Sequence, residues 1–134
     1  MEINKIFAVE TGDDKYEAFV NEVTGKTWYE QLLVEDPETH MYVKMVKHPA
    51  GVVTPWHTHP CAHGNYVLKG TLRTNVGDFG AGSFVWFPEG TVMEHGAKED
   101  EEVIFLFITN KKFAIDFLQQ YPEKGGNMDD ASRI

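Results

Sequence analysis

The segment GVVTPWHTHPCAHGNYVLKG, residues 51–70, holds three of the chain's six histidines, His57, His59 and His63, between two glycines. Alternate side chains of a β-strand point to the same face, so His57 and His59 share a face about 7 Å apart along the backbone. Two imidazoles at that spacing can converge on one transition-metal ion, with nitrogen–metal distances of about 2.0–2.1 Å. The segment therefore predicts a strand that carries a metal site.

Two further histidines are candidates for the same site. His63 follows a turn that contains proline, which would fold the next strand back and bring a third imidazole alongside the first two. It either binds the ion or supports a ligand from behind it. His95 lies on the later segment TVMEHG, just after the segment PEG at 88–90. Cys61 lies on the turn before His63 and is either a soft ligand or, as we expect, a buried thiol outside the site.

The rest of the sequence contains no second catalytic signature. It has no glycine-rich phosphate loop, no G-x-S-x-G segment and no Cys-x-x-Cys pair. His40 and His48 lie outside the histidine spacing, and an isolated histidine of this kind is usually hydrogen-bonded or exposed. Glu94 alternates with His95 and is expected to face outward, so no general base is apparent.

Short apolar segments separated by glycine and proline predict an all-β sandwich or barrel rather than alternating strands and helices. We expect one domain over residues 1–134, with the barrel at about 28–110 and a frayed polar tail at 122–134. Residues 13–23 are expected to form a turn or short helix, and 114–121 a closing strand or helical turn. Strands are expected at 28–35, 40–47, 52–59, 65–69, 71–76, 83–87, 91–96 and 102–110, with a turn at 36–39.

The strand at 103–108, VIFLFI, is apolar at every position. Both of its faces should therefore be covered, one by the barrel interior and the other by something that packs against the outer wall. A second copy of the chain would provide that cover, so we expect a homodimer.

Charge and composition exclude several classes of partner. The formal net charge is −9, from 12 Lys and Arg against 21 Asp and Glu, and the lysines are scattered, so nucleic acid is not an expected partner. No apolar stretch is long enough to span a membrane, and the N-terminus does not resemble a signal peptide. The single cysteine fits a reducing compartment. These features together predict a cytoplasmic protein.

The spacing of the histidine segment resembles the first motif of the cupin superfamily, which is G, five residues, H-x-H, three or four residues, E, six residues, G. Every spacing is matched here, by Gly51, His57, His59, His63 and Gly70. The difference is that His63 stands where most cupins have glutamate. The resemblance implies an all-β double-stranded β-helix, the cupin or jelly-roll barrel.

A second cupin motif, G, five residues, P-x-G, two residues, H, is also similar to a segment of this chain. Gly82 and the PEG segment at 88–90 match it, whereas Met93 occupies the histidine position. His95 lies two positions later, on the same face of the strand, and can replace the missing ligand. The resemblance therefore implies a metal set of His57, His59, His63 and His95.

Histidine in place of glutamate is similar to a branch of small cupins. That branch includes acetylacetone dioxygenase, 2,4'-dihydroxyacetophenone dioxygenase and the zinc-binding cupin domains of anti-sigma factors. The resemblance implies one divalent transition metal per chain, with Fe²⁺ favoured and Zn²⁺, Ni²⁺ or Mn²⁺ as alternatives, since the metal at an imidazole site depends on availability as much as on preference. It implies either a non-haem dioxygenase that cleaves a carbon–carbon bond, or a zinc-binding module without turnover. Another cupin reaction, such as isomerisation or decarboxylation, is a third interpretation.

An all-imidazole ligand set does not neutralise the charge of a divalent ion. Such a centre favours an anionic chelating ligand, such as the enolate of a small β-diketone or a hydroxyaryl ketone. We expect Phe105, Trp86 and Met93 to line the substrate pocket. We expect Arg73 to pair with an anionic substrate if its side chain points inward.

Overall fold

The computed structural model describes residues 3–117, and over this range the chain is almost entirely β-strand. One 3-10 turn, Asp13–Lys15, precedes the strands, and the described residues contain no α-helix. The strands are β1 (Glu17–Val20), β2 (Thr27–Glu35), β3 (Tyr42–His48), β4 (Val53–Thr58), β5 (His63–Lys69), β6 (Thr71–Thr74), β7 (Gly77–Gly80), β8 (Phe84–Phe87), β9 (Met93–Ala97), β10 (Val103–Thr109) and β11 (Asp116–Phe117).

The strands form two antiparallel sheets. One has the order β1-β2-β3-β10-β5-β8 and the other β11-β4-β9-β6-β7. Neighbours in each sheet are often distant in sequence, as when β10 pairs with both β3 and β5. The all-β double-stranded β-helix predicted from the sequence is confirmed.

The apolar core lies between the two sheets, and β10 supplies its centre. Val103, Phe105 and Phe107 alternate along β10 and are each 3% exposed or less. The residues between them are half-buried on the opposite face. The remaining core residues are Val46, Val67, Leu72, Phe79, Val85, Phe87, Met93 and Ala97. The continuous apolar pattern of β10 therefore reflects its central position as well as its partly covered outer face.

Two short strands differ from the expected elements. The segment at 77–80, which lies between the strands expected at 71–76 and 83–87, forms β7, which pairs with β6 and buries Phe79. Part of segment 13–23 forms β1, an exposed edge strand paired with β2. Short edge strands that contain glycine, or that lack alternating apolar residues, are difficult to recognise from the sequence. Of segment 114–121, residues 116–117 form a strand, and 118–121 and the tail at 122–134 lie outside the described residues.

Local backbone conformation explains the turns that frame the histidine segment. Gly51 and Gly70 have φ angles of 77° and 76°, a left-handed region in which residues with a Cβ are disfavoured. At the turn after β2, Asp36 Oδ1 accepts hydrogen bonds from the backbone N–H of Glu38 and Thr39. Within residues 3–117 we find no helix with the length and apolar character that crossing a bilayer requires.

Candidate metal centre

Three histidines from two strands converge between the sheets. His57 lies on β4, His59 directly follows it, and His95 lies on β9, the antiparallel neighbour of β4. Each offers a ring nitrogen, and these atoms lie within 4.8 Å of one another. All three side chains are buried. An irregularity in the β4–β9 pairing between Thr54 and His57 alters the register here, as bulges near functional sites often do.

Backbone carbonyls fix the orientation of two of these rings. His57 Nδ1 lies 2.6 Å from the carbonyl oxygen of Pro55, and His59 Nδ1 lies 2.6 Å from that of Ala114. A carbonyl only accepts, so each Nδ1 carries the proton and each Nε2 carries the lone pair. This is the arrangement by which proteins orient imidazole ligands toward a metal.

Burial keeps the imidazoles of His57 and His95 neutral. Burial, together with the neighbouring His59, lowers the pKa of His57 to about 3. Burial also holds the pKa of His95 well below its ordinary value. Within the described residues, neither His57 Nε2 nor either ring nitrogen of His95 has a hydrogen-bond partner. Neutral, buried imidazoles with such nitrogens are suited to a transition-metal ion, and three of them leave coordination positions open.

His63 lies beside this group but outside the set of three. Its ring centroid is 4.9 Å from that of His59 and 6.2 Å from that of His95. The ring is stacked between Phe87 and Phe107, at 4.9 and 4.7 Å. It is fully buried, and neither of its nitrogens has a hydrogen-bond partner within residues 3–117. Desolvation lowers its pKa to about 2, so this imidazole is neutral as well.

The three histidines open into a cavity of about 250 Å³, here called the histidine cavity, which is of a size for a small molecule. Its wall is mostly aromatic, and its charged groups are one lysine and one glutamate. The residues that line it are Phe19, Trp28, Glu30, Tyr42, Lys44, Val46, His48, Thr54, His57, His59, His95, Phe105, Phe107, Phe113 and Ile115.

The charged pair in this wall was not anticipated from the sequence. Lys44 Nζ lies 2.8 Å from Glu30 Oε1, and Trp28 Nε1 donates to Glu30 Oε2 at 2.7 Å. His48 donates from Nδ1 to the carbonyl of Val52 at 3.0 Å and stacks on Trp28. In the sequence, strand alternation places residues 42, 44, 46 and 48 on one face of β3. Which side chains they meet on that face depends on the pairing of β3 with β2 and β10.

The four residues expected in the substrate pocket occupy different places. Phe105 lines the histidine cavity. Met93 is fully buried in the apolar core and is not among the described residues that line the cavity. Arg73 alternates outward on β6, is exposed, and pairs with Asp78 at 3.4 Å. Trp86 is half exposed on the outer face of β8. The structure thus brings only Phe105 of these four to the cavity wall.

Cys61 is almost fully buried, and its sulfur is not part of the three-histidine group among the described residues. Burial raises the pKa of its thiol, which keeps the sulfur protonated and a poor metal ligand. His40 is exposed on the turn before β3, with a φ of 61°.

Comparison with known proteins identifies related domains. The family model described as ChrR Cupin-like domain matches residues 5–114. No curated protein sequence matches the chain. Among solved structures, an acetylacetone dioxygenase from Acinetobacter johnsonii is 22% identical, with a TM-score of 0.65, over 81% of this chain and 77% of that one.

Two further structures share the fold. The polyketide cyclase RemF from Streptomyces resistomycificus is 16% identical, with a TM-score of 0.68, over 88% of this chain and 89% of that one. A chain of the complex between Rhodobacter sphaeroides SigE and the anti-sigma ChrR is 23% identical, with a TM-score of 0.57. That match covers 67% of this chain and 49% of the other. One fold therefore serves a dioxygenase, a cyclase and an anti-sigma complex, so its function depends on the site.

Proposed function

Because the chain belongs to the ChrR cupin-like family, we propose that it is a metal-dependent cupin enzyme. The proposed reaction is the dioxygenase cleavage of a carbon–carbon bond in a small β-diketone or hydroxyaryl ketone. The observation that supports it best is a set of three buried imidazoles, His57, His59 and His95, that opens into an aromatic-lined cavity. Three protein ligands with open positions are typical of catalytic rather than structural metal sites.

The residues of the chain have definable tasks in this reaction. The carbonyls of Pro55 and Ala114 hold the first two imidazoles in the tautomer that presents Nε2. Phe105 and Phe113 exclude water from the wall around the site, which strengthens electrostatic interactions within it. When bound, a ferrous ion supplies Lewis acidity toward an enolate and one-electron chemistry toward dioxygen. A dioxygenase places both oxygen atoms in its products, so no separate reductant is needed.

The main alternative is a zinc-binding module without turnover, and His63 is the observation in its favour. Its ring centroid lies 4.9 Å from that of His59, so a fourth imidazole lies directly beside the group of three. Four protein ligands close a tetrahedral zinc site, as in structural rather than catalytic centres. The similarity to a chain of the SigE–ChrR complex is consistent with this alternative.

The test is metal analysis together with oxygen uptake. The full chain is purified without added metal, its metal content is measured, and it is then loaded with Fe²⁺ and given acetylacetone or 2,4'-dihydroxyacetophenone. We expect close to one iron per chain and oxygen consumption that requires a diketone or hydroxyaryl ketone. His95→Ala should abolish both, while Cys61→Ser should retain both. Tightly held zinc without oxygen uptake would favour the binding module, and turnover without dioxygen would favour an isomerase or decarboxylase.

We further propose that the protein is a homodimer that pairs through the outer face of the six-stranded sheet. Tyr66, Leu68, Phe84 and Trp86 are between 41% and 57% exposed on adjacent strands of this face. Phe84 and Trp86 lie over Gly64, where a Cβ would be 2.5 Å from the Phe84 ring. A contiguous apolar patch on a sheet face can match its own two-fold copy.

Light scattering tests the oligomeric state. We expect the mass of two chains for the wild type and of one chain for Trp86→Lys at micromolar concentration. The matched control is Val20→Lys, which alters an exposed apolar residue on β1, at the sheet edge opposite to β8 and away from the proposed patch, and should remain dimeric. A monomeric wild type would refute this part of the proposal.

We also propose a cytoplasmic location. The sequence has one cysteine, and Cys61 is buried, so the described barrel does not depend on an oxidising environment. Fractionation of the source cells tests this location.

A further inference from the structure

Lys44 brings a buried ammonium group to the wall of the histidine cavity. Its side chain follows the inward alternation of β3, together with Val46 and His48, and the residue is 8% exposed. Removing a charge from water is costly unless it is well paired. A lysine in this position therefore needs a structural or functional explanation.

Aromatic rings surround the ammonium on the side of the cavity. Lys44 Nζ lies 4.8 Å from the ring centroid of Phe113, 4.9 Å from that of Phe107 and 5.3 Å from that of Tyr42. Phe107 and Phe113 also contact the ring of His59, at 6.4 and 4.7 Å. These two rings therefore connect the ammonium with the three-histidine group. Cation–π contacts stabilise the charge without using its hydrogen-bond donors for conventional acceptors.

Glu30 and Lys44 differ in how many of their hydrogen-bonding atoms are used. Both carboxylate oxygens of Glu30 are engaged, one by Lys44 and the other by the indole N–H of Trp28. The ammonium has three donors, and within residues 3–117 Glu30 provides its one acceptor. Glu30 thus fixes the position of Lys44, while two of the N–H groups remain available to a ligand in the cavity.

The charge balance of the cavity favours an acidic ligand. Lys44 and Glu30 neutralise each other, and imidazole side chains that bind a metal ion add no negative charge. A divalent ion held by these imidazoles would retain its full positive charge. A ligand with one negative charge at its chelating oxygens and a second one elsewhere would balance that charge.

We infer that Lys44 is a specificity-determining residue, which binds a carboxylate at the end of the substrate remote from the chelating oxygens. The substrate class is thus a small keto or hydroxyaryl carboxylic acid with an apolar middle that contacts the aromatic wall. The chelating end of this inference rests on the proposed function, whereas the carboxylate end rests on Lys44, Glu30 and Trp28 alone.

The first experiment compares two probes that differ only in the carboxylate. Binding of catechol and of 3,4-dihydroxybenzoate to the Zn²⁺-loaded full chain is measured by calorimetry. A charge-assisted hydrogen bond to Lys44 should make the carboxylate probe about tenfold tighter in the wild type. In Lys44→Met this ratio should fall to about one. Lys47→Met is the matched control, because Lys47 lies on the other face of β3 and pairs with Asp13 and Glu102.

Glu30→Gln separates a ligand-binding lysine from a merely structural ion pair. If Lys44 binds the carboxylate, removal of the competing negative charge should raise the probe ratio above that of the wild type. If the pair only supports the wall, Lys44→Met and Glu30→Gln should weaken both probes alike, and the inference is wrong. The double variant Lys44→Met/Glu30→Gln removes both charges and provides a folded comparison should Lys44→Met alone be unstable.

A second experiment does not depend on metal. The ¹⁵N-labelled indole signal of Trp28, assigned with Trp28→Phe, is followed by NMR while benzoate or benzyl alcohol is added to the chain as purified. Benzoate should shift the signal in the wild type and in Glu30→Gln but not in Lys44→Met. If the chain takes up no metal, the proposed reaction is refuted. A benzoate-dependent shift of the Trp28 signal would then still support carboxylate binding by Lys44. Equal responses to benzoate and benzyl alcohol would overturn the inference.

Discussion

Two regions inside the barrel are equally buried but differ in chemistry. Around Leu72, Val67 and Val103, each 0% exposed, hydrocarbon packs against hydrocarbon and burial stabilises the fold directly. Around His57 and His63, also 0% exposed, buried nitrogens lack hydrogen-bond partners within the described residues. Polar atoms buried in this way reduce stability, and a bound ligand can restore it. The apolar region therefore maintains the fold, while the imidazole region is arranged for binding.

The largest effect on stability should come from the apolar region. Leu72→Ala removes a fully buried side chain from β6 and should lower the free energy of unfolding by about 2–5 kcal/mol, because a cavity replaces lost contacts. Urea denaturation measures this change. The metal content of the folded variant should remain that of the wild type. Loss of metal from folded Leu72→Ala protein would show that the two regions are not independent.

The largest effect on metal binding should come from the imidazole region. His95→Ala removes one of three converging ligands and should weaken metal binding by more than about 100-fold, since even supporting residues of such sites cost about 10–100-fold. The metal-free variant should lose less stability than Leu72→Ala, because the packing that is lost belongs to a side chain whose nitrogens have no partner in the described residues. Competition with a chromophoric chelator gives the affinity, and His40→Ala on the exposed turn is the control. An unchanged affinity would remove His95 from the site.

His63 sharpens the comparison, because it belongs to the histidine motif but contacts the aromatic core. Its ring is stacked between Phe87 and Phe107, outside the group of three. His63→Ala should therefore change metal affinity by less than about tenfold, well below the effect of losing a ligand. Parallel chelator titrations of His63→Ala and His59→Ala provide the measurement. Equal losses would make His63 a fourth ligand and strengthen the zinc-binding alternative.

The sequence predicted the convergence of His57 and His59 well, because strand alternation is a local property. It also indicated His95, two positions beyond the expected ligand slot and on the same face as Met93. Strand alternation alone did not identify which aromatic residues line the cavity. Trp86 and Phe105 both lie on strands with aromatic residues, but only the sheet order shows that Phe105 faces inward and Trp86 outward.

The charged wall of the cavity illustrates a second limit. Glu30 and Lys44 meet because β2 pairs with β3, and the rings over Lys44 come from β3, β10 and the segment after β10. The carbonyl that orients His59 belongs to Ala114, 55 residues away in sequence. Contacts of this kind depend on strand pairing and loop closure, which single-sequence patterns do not specify.

The smallest expected effect concerns a buried polar residue that does have partners. Thr109, at the end of β10 opposite His63, accepts a hydrogen bond from the backbone N–H of Tyr42 at 2.9 Å. Thr109→Val keeps the shape but leaves that N–H without its acceptor, and should cost about 1–2 kcal/mol in unfolding free energy. Metal affinity should not change, because Thr109 does not belong to the three-histidine group. Urea denaturation of Thr109→Val and of metal-free His63→Ala is measured in parallel. It compares the loss of a buried polar group that has a hydrogen-bond partner with the loss of one that has none in the described residues. If Thr109→Val were fully as stable as the wild type, this hydrogen bond would not contribute to the difference between the two regions.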